Sequence, residues 1–189
     1  ANITGQSFVG LMASGILNVV GELMNGLQMA GIANITASKL NGVQIALCNY
    51  ATQARGLQIG LVNYYKEDMK GFQLGLVNAN PDTRVQMMVY GGNATPANIG
   101  VRFKNQLFYT ILGIGSMYQG LNDKFSASAS YRAGLSFTLY KGLSISGDLG
   151  YQHIEAFDNK DEVIPKRLYA LQARANLEYQ FTRKFGIFA

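Results

Sequence analysis

The sequence predicts an all-β chain, an antiparallel meander forming a transmembrane β-barrel of about twelve strands, and three observations carry that prediction. Charged residues make up only 14% of the 189, while glycine reaches 22, too little charge for an ordinary water-facing surface. Apolar and polar side chains alternate over runs long enough to cross a bilayer. The charges embedded in those runs all fall on the polar side. One domain is expected over 1–189, with repeat-containing strands in 1–97 and longer, loop-joined strands in 98–189. A β-solenoid in the N-terminal half is the alternative.

Residues 1 to 21 carry no charge, so a transmembrane helix is considered first. Gly5, Gln6, Ser7, Gly10, Ser14, Gly15 and Asn18 interrupt the window, whereas a spanning helix needs about 20 predominantly apolar residues. A strand-turn-strand is expected instead.

An internal repeat follows. The unit Gly-apolar-Gln-apolar-small-apolar-apolar-Asn occurs at Gly42 to Asn49, Gly56 to Asn63 and Gly71 to Asn78, with looser copies from Gly10, Gly26 and Arg84. Successive starts lie 16, 16, 14, 15 and 13 residues apart, too short for a helical hairpin and read as one strand plus one turn. Leu57, Ile59 and Leu61 share one face of a strand, with Gln58, Gly60 and Val62 on the other. Thr52 to Arg55, Lys66 to Lys70 and Asn80 to Thr83 are read as turns.

The second half drops the repeat and keeps the alternation. From Phe125 to Leu139 aromatic and aliphatic residues alternate with Ser, Arg, Gly and Thr. The same pattern holds from Leu143 to Gln152 and from Tyr169 to Phe181. Arg102, Arg132, Asp148, Arg174 and Glu178 all take the polar side, as a spanning strand requires when Arg or Lys facing mid-bilayer lipid costs about 2–4 kcal/mol. Tyr169 at one end and Tyr179 with Phe181 at the other bracket an aliphatic stretch, matching two interfacial girdles. Connections alternate between tight (Lys104 to Gln106, Tyr140 to Gly142, Thr182 to Lys184) and long (Gln119 to Lys124, Ala156 to Lys166). Short periplasmic turns and long extracellular loops have this arrangement.

Net charge is +5, but no basic stripe gathers, so nucleic acid is not an expected partner. The single cysteine, Cys48, is read as a small hydrophobe in an apolar run. No basic region or cleavage pattern opens the chain, so an exported protein is expected to be numbered from its mature end.

The Gly-x-Gln-x-Gly-Leu-x-Asn copies, the strand Phe108 to Gly113 and the segment Arg183 to Ala189 resemble the bacterial surface repeat-containing proteins of Gram-negative envelopes. The resemblance covers most of the chain. It implies a cell-surface location in the outer membrane and no established biochemical activity, and it carries over no catalytic residue. Members of that family continue past the Lys-Phe-x-x-Phe segment into further strands. The final strand is therefore expected to be very short or to extend beyond Ala189.

The candidate functional residues are those expected to line a lumen: Gln44, Gln58, Gln73 and Gln86 as an amide ladder, with Arg102, Arg132, Asp148, Arg174 and Glu178 as an ionic wall. The amides either bind a polar solute or satisfy one another, and the charges either plug the lumen or make it weakly anion-selective. His153 and Glu155, on one strand face, are the only partial resemblance to a hydrolytic triad. They are read as rim residues, so no catalytic residue is expected. Asp158, Asp161 and Glu162 match no Ca²⁺ loop, so neither a metal nor a cofactor is expected. Expected partners are outer-membrane lipid, lipopolysaccharide and envelope proteins. The function classes kept are a non-enzymatic barrel acting as structural protein or passive channel, an outer-membrane lipid-modifying hydrolase using His153, and a surface β-solenoid binding module.

Overall fold

The computed structural model describes residues 1–92, 95–116, 126–157, 167–182 and 185–189. These residues form strands, turns and bends with no helix, so none is long and apolar enough to cross a membrane. The chain divides into two compact units, Ala1–Thr83 and Arg84–Ala189.

The first unit is a parallel β-solenoid. Its strands are β1 (Asn2–Thr4), β2 (Phe8–Ser14), β3 (Leu17–Val20), β4 (Leu23–Ala30), β5 (Ala33–Ile45), β6 (Cys48–Ile59), β7 (Val62–Leu74) and β8 (Val77–Ala79). All neighbouring strands here pair in parallel. The antiparallel meander expected for these residues is therefore corrected in favour of the solenoid. One period is not a strand plus a turn but a full coil of two arms, and Thr52 to Arg55 and Lys66 to Lys70 run inside β6 and β7 as bends rather than turns. The physical reason lies in the repeat itself. Stacking the coils in parallel, with register shifts near Thr36 and Ala51 taking up their unequal lengths, sets each repeat Gln and Asn over its counterpart and lets identical amides pair along the stack.

Five glycines fix the bend of the second arm. Gly10, Gly26, Gly42, Gly56 and Gly71 stack in register and all have positive φ, from 122° to 146°. A Cβ on Gly42 would also run into the carbonyl oxygen of Gly26 in the preceding coil. Only glycine satisfies both conditions.

Inward positions divide by chemistry. Near the bend that precedes each second arm, Val20, Met24, Leu40, Ala51 and Ala54 are buried with Met12, and Phe8 and Met69 pack against them. Near the opposite bend the interior is polar, with stacked Asn and Gln. Outward positions divide the other way. The Leu11 column (Leu11, Leu27, Val43, Leu57, Phe72), the Ala13 column (Ala13, Met29, Ile45, Ile59, Leu74) and the Leu17 column (Leu17, Ala33, Cys48, Val62, Val77) are apolar throughout. The bend residues Ile16, Ile32, Leu47, Leu61 and Leu76, each just before the next coil's first arm, are exposed. Glu22, Lys39, Arg55, Lys66, Glu67, Asp68 and Lys70 all lie at the other bend, where Lys39 pairs with Gln53 and Gln53 with Asp68.

The second unit is an antiparallel meander, the topology expected for it. β9 (Arg84–Tyr90), β10 (Ala97–Asn105), β11 (Phe108–Ser116), β12 (Ser126–Tyr140), β13 (Leu143–Ala156), β14 (Arg167–Gln180) and β15 (Gly186–Phe188) form one sheet in chain order. The tight turns after β10 and β12 use Gln106 (φ 43°) and Gly142 (φ 79°). The connections 117–125 and 158–166 lie outside the described residues, and with them the whole expected loop Gln119 to Lys124, Phe125 at the expected start of the next strand, most of the loop Ala156 to Lys166 and the acidic Asp158, Asp161 and Glu162, as do Arg183 and Lys184. The sheet curls into a half-barrel. Arg102 on β10 meets Glu178 on β14 at 2.9 Å, although four strand spacings across a flat sheet would separate those strands by about 19 Å.

Candidate functional site

The concave face of the half-barrel is built from alternate residues of β9 to β14. One row across it reads Gln86, Arg102, Ile111, Arg132, Gly150, Gln172, and the next Arg84, Lys104, Tyr109, Gly134, Asp148, Arg174. Two glycines make room for large neighbours. A Cβ on Gly150 would meet the Arg132 side chain, and one on Gly134 the Tyr109 ring and Asp148. Long polar side chains can therefore lie across the strands rather than stand off them.

Asp148 is the hub, its side chain wholly enclosed. It accepts from Arg132 Nη1 at 3.1 Å, from Arg174 Nε and Nη2 at 3.0 Å each, and from the Tyr109 hydroxyl at 2.9 Å. The paired nitrogens of Arg174 make this the two-pronged geometry in which charged hydrogen bonds are strongest. Arg102 donates to Glu178 at 2.9 Å and lies 3.9 Å above the Tyr109 ring. Lys104 donates to Ser136 Oγ at 2.7 Å. Further along the same face, Gln172 donates to Gln152, which donates to Thr95 and Ser128. Buried Arg102 Nε and Nη2, Arg132 Nε and Gln86 Oε1 have no hydrogen-bond partner among the described residues. All five ionic residues singled out in the sequence thus fall into one connected network on one face. The sequence reading missed Tyr109 and Lys104, whose places on the inward alternation of β10 and β11 were the available signal.

The convex face is apolar and bare. Leu171 is 87% exposed, Met87 83% and Val89 80%. Toward one rim Tyr151 stacks on Tyr169 at 6.0 Å, and toward the other Tyr140, Tyr179 and Phe181 are exposed. His153 sits on this face beyond the aliphatic band. Its ring lies 5.0 Å from that of Tyr169, and its Nε2 is 3.9 Å from Glu155, which takes a 3.2 Å bond from Arg167. No serine hydrogen-bonds to His153 or Glu155 among the described residues, and these residues include no cluster of metal-ligating side chains.

The glutamines separate into two environments. Gln44, Gln58 and Gln73 form a ladder inside the solenoid, joined by Gln28: Gln44 donates to Gln28, Gln58 to Gln44 and Gln73 to Gln58, each at 2.8 Å. Gln86 is not part of it, because it lies on antiparallel β9 opposite Arg102. The closing Asn of each repeat copy builds a second ladder. Asn2, Asn18, Asn34, Asn49, Asn63 and Asn78 are linked by side-chain bonds of 2.9–3.1 Å. The same amides also donate to the arm-ending carbonyls of Met29, Ile45, Ile59 and Leu74 at 2.7–3.0 Å. No family model, curated protein or solved structure matches the chain.

Proposed function

We propose that the chain is a non-enzymatic surface protein of a Gram-negative outer membrane, in which the Arg84–Ala189 sheet spans the bilayer as part of a closed barrel. The carrying observation is the inverted polarity of that sheet: ions and amides fill its concave face, and aliphatic side chains cover its exposed convex face. Water rewards the opposite arrangement, whereas lipid rewards this one, because outward charge in hydrocarbon costs about 2–4 kcal/mol per Arg or Lys. Closure follows from the same solvent. An open edge in hydrocarbon leaves backbone N–H and C=O groups unpaired, so β9 and β15 must find strand partners. The curvature that brings β10 to β14 supports a narrow barrel, in a size range where side chains fill the interior.

The charged interior then acts as a plug rather than a pore. Asp148 and Glu178 already hold Arg102, Arg132 and Arg174, which supports a structural or docking role at the envelope surface over solute passage. The resemblance to surface repeat-containing proteins points to the same location, with lipopolysaccharide and envelope proteins as neighbours. Two measurements test the reading. The folded protein should migrate differently on gels before and after boiling, and should give a flat trace in a planar bilayer. Migration unaffected by heat would remove the barrel, and steady conductance would remove the plug.

A further inference from the structure

The solenoid of Ala1–Thr83 carries its own signature of lipid contact, on observations separate from those for the half-barrel. The Leu11, Ala13 and Leu17 columns and the Ile16 series of bend residues join into one apolar surface around a single bend. That surface contains no charge, and the charges of the coils gather at the opposite bend. Water-exposed proteins rarely present a contiguous apolar patch larger than a few hundred Å². The interior behind each bend is matched to its outside. Behind the charged bend lies an aliphatic core of Val20, Met24 and Leu40, as in any water-soluble fold. Behind the apolar bend lie the Asn and Gln ladders.

Those Asn side chains explain what the bend is built for. A bend at a wet surface can leave its carbonyls to water. Here the carbonyls of Met29, Ile45, Ile59 and Leu74 are taken by the amides of Asn18, Asn34, Asn49 and Asn63 from inside the coil. Internal satisfaction of backbone groups is the condition for entering hydrocarbon. We infer that the apolar bend of the solenoid is immersed edge-on in lipid, with the charged bend in water. The occupant is acyl chain rather than a protein, because protein interfaces carry about one hydrogen bond per 100–200 Å² within a polar rim, and the three columns offer only aliphatic, aromatic and thioether side chains and one thiol.

Cys48 lies exposed in the Leu17 column and supplies a native probe. The full chain is reconstituted in phosphatidylethanolamine and phosphatidylglycerol vesicles with a small fluorophore on Cys48. It is then exposed in turn to nitroxide-bearing acyl chains and to aqueous iodide. A Lys39→Cys probe in a Cys48→Ser background reports on the charged bend. The Cys48 probe should lose most of its emission to the lipid quencher and almost none to iodide, and the Lys39→Cys probe the reverse. Quenching of Cys48 by iodide overturns the inference, and so does protection from both quenchers, which would mean a protein cover. A Leu171→Cys probe in the same vesicles reads the half-barrel independently, so failure of one reading leaves the other standing or falling by itself.

Discussion

The two units bury polar groups by opposite means, and the comparison shows what each topology allows. In the parallel solenoid, like sits on like. An amide carries both donor and acceptor, so identical Asn or Gln residues can satisfy one another without any second residue type. In the antiparallel half-barrel, unlike residues face one another, as Asp148 faces Arg174, and satisfaction needs complementary charge. A ladder therefore tolerates repetition and fails by one rung at a time. An ionic hub concentrates its risk in one side chain.

The largest expected effect is at that hub. Asp148→Leu strips buried Arg132 and half-buried Arg174 of their counter-charge, and breaking a buried pair from one side costs about 3–5 kcal/mol. Urea unfolding of the protein in micelles should show the loss, and an unchanged midpoint would mean that the hub does not hold the sheet. Next come two neighbouring positions on β14. Leu171→Arg should cost up to about 2–4 kcal/mol in lipid and Gln172→Arg far less, since in the proposed barrel the first faces hydrocarbon and the second the concave face. Equal costs would remove the distinction between the faces. A smaller effect is expected within the ladder. Asn34→Leu leaves the Ile45 carbonyl and Asn49 Oδ1 without that partner, whereas Asn18 Nδ2 keeps the Met12 and Met29 carbonyls, for roughly 1–3 kcal/mol in all once the neighbours relax. Hydrogen exchange should localise the loosening to the coils on either side, and global unfolding instead would make the stack cooperative throughout. The smallest belongs to His153→Ala, within about 0.5 kcal/mol as for other surface substitutions, with any hydrolytic activity unchanged. Loss of such activity with the fold intact would promote His153 to a site.

What could be read from the sequence follows the same division. The faces of β12 to β14 were legible, because alternation over 14 or 15 residues leaves little choice about which side chains share a side. The gathering of Arg102, Arg132, Asp148, Arg174 and Glu178 on one face was legible for that reason. Their pairing was not, since the Arg102 to Glu178 contact depends on curvature that no local pattern encodes. The parallel stacking of the first unit was masked by an ambiguity. A strand has the same alternation whether its neighbour runs parallel or antiparallel, and a period near 15 suits both a strand with its turn and a full coil. The deciding facts are the positive φ of Gly26, Gly42 and Gly56 and the amide ladders.

The central claim is that the convex face of Arg84–Ala189 meets lipid and the concave face does not. Single-cysteine variants at Leu171 and Gln172, each in a Cys48→Ser background and reconstituted in vesicles, test it most directly with a bilayer-confined thiol reagent. The account predicts rapid labelling at Leu171→Cys and none at Gln172→Cys, the pleat having sent adjacent residues to opposite solvents. Labelling of neither position, or of both at equal rates, would contradict it.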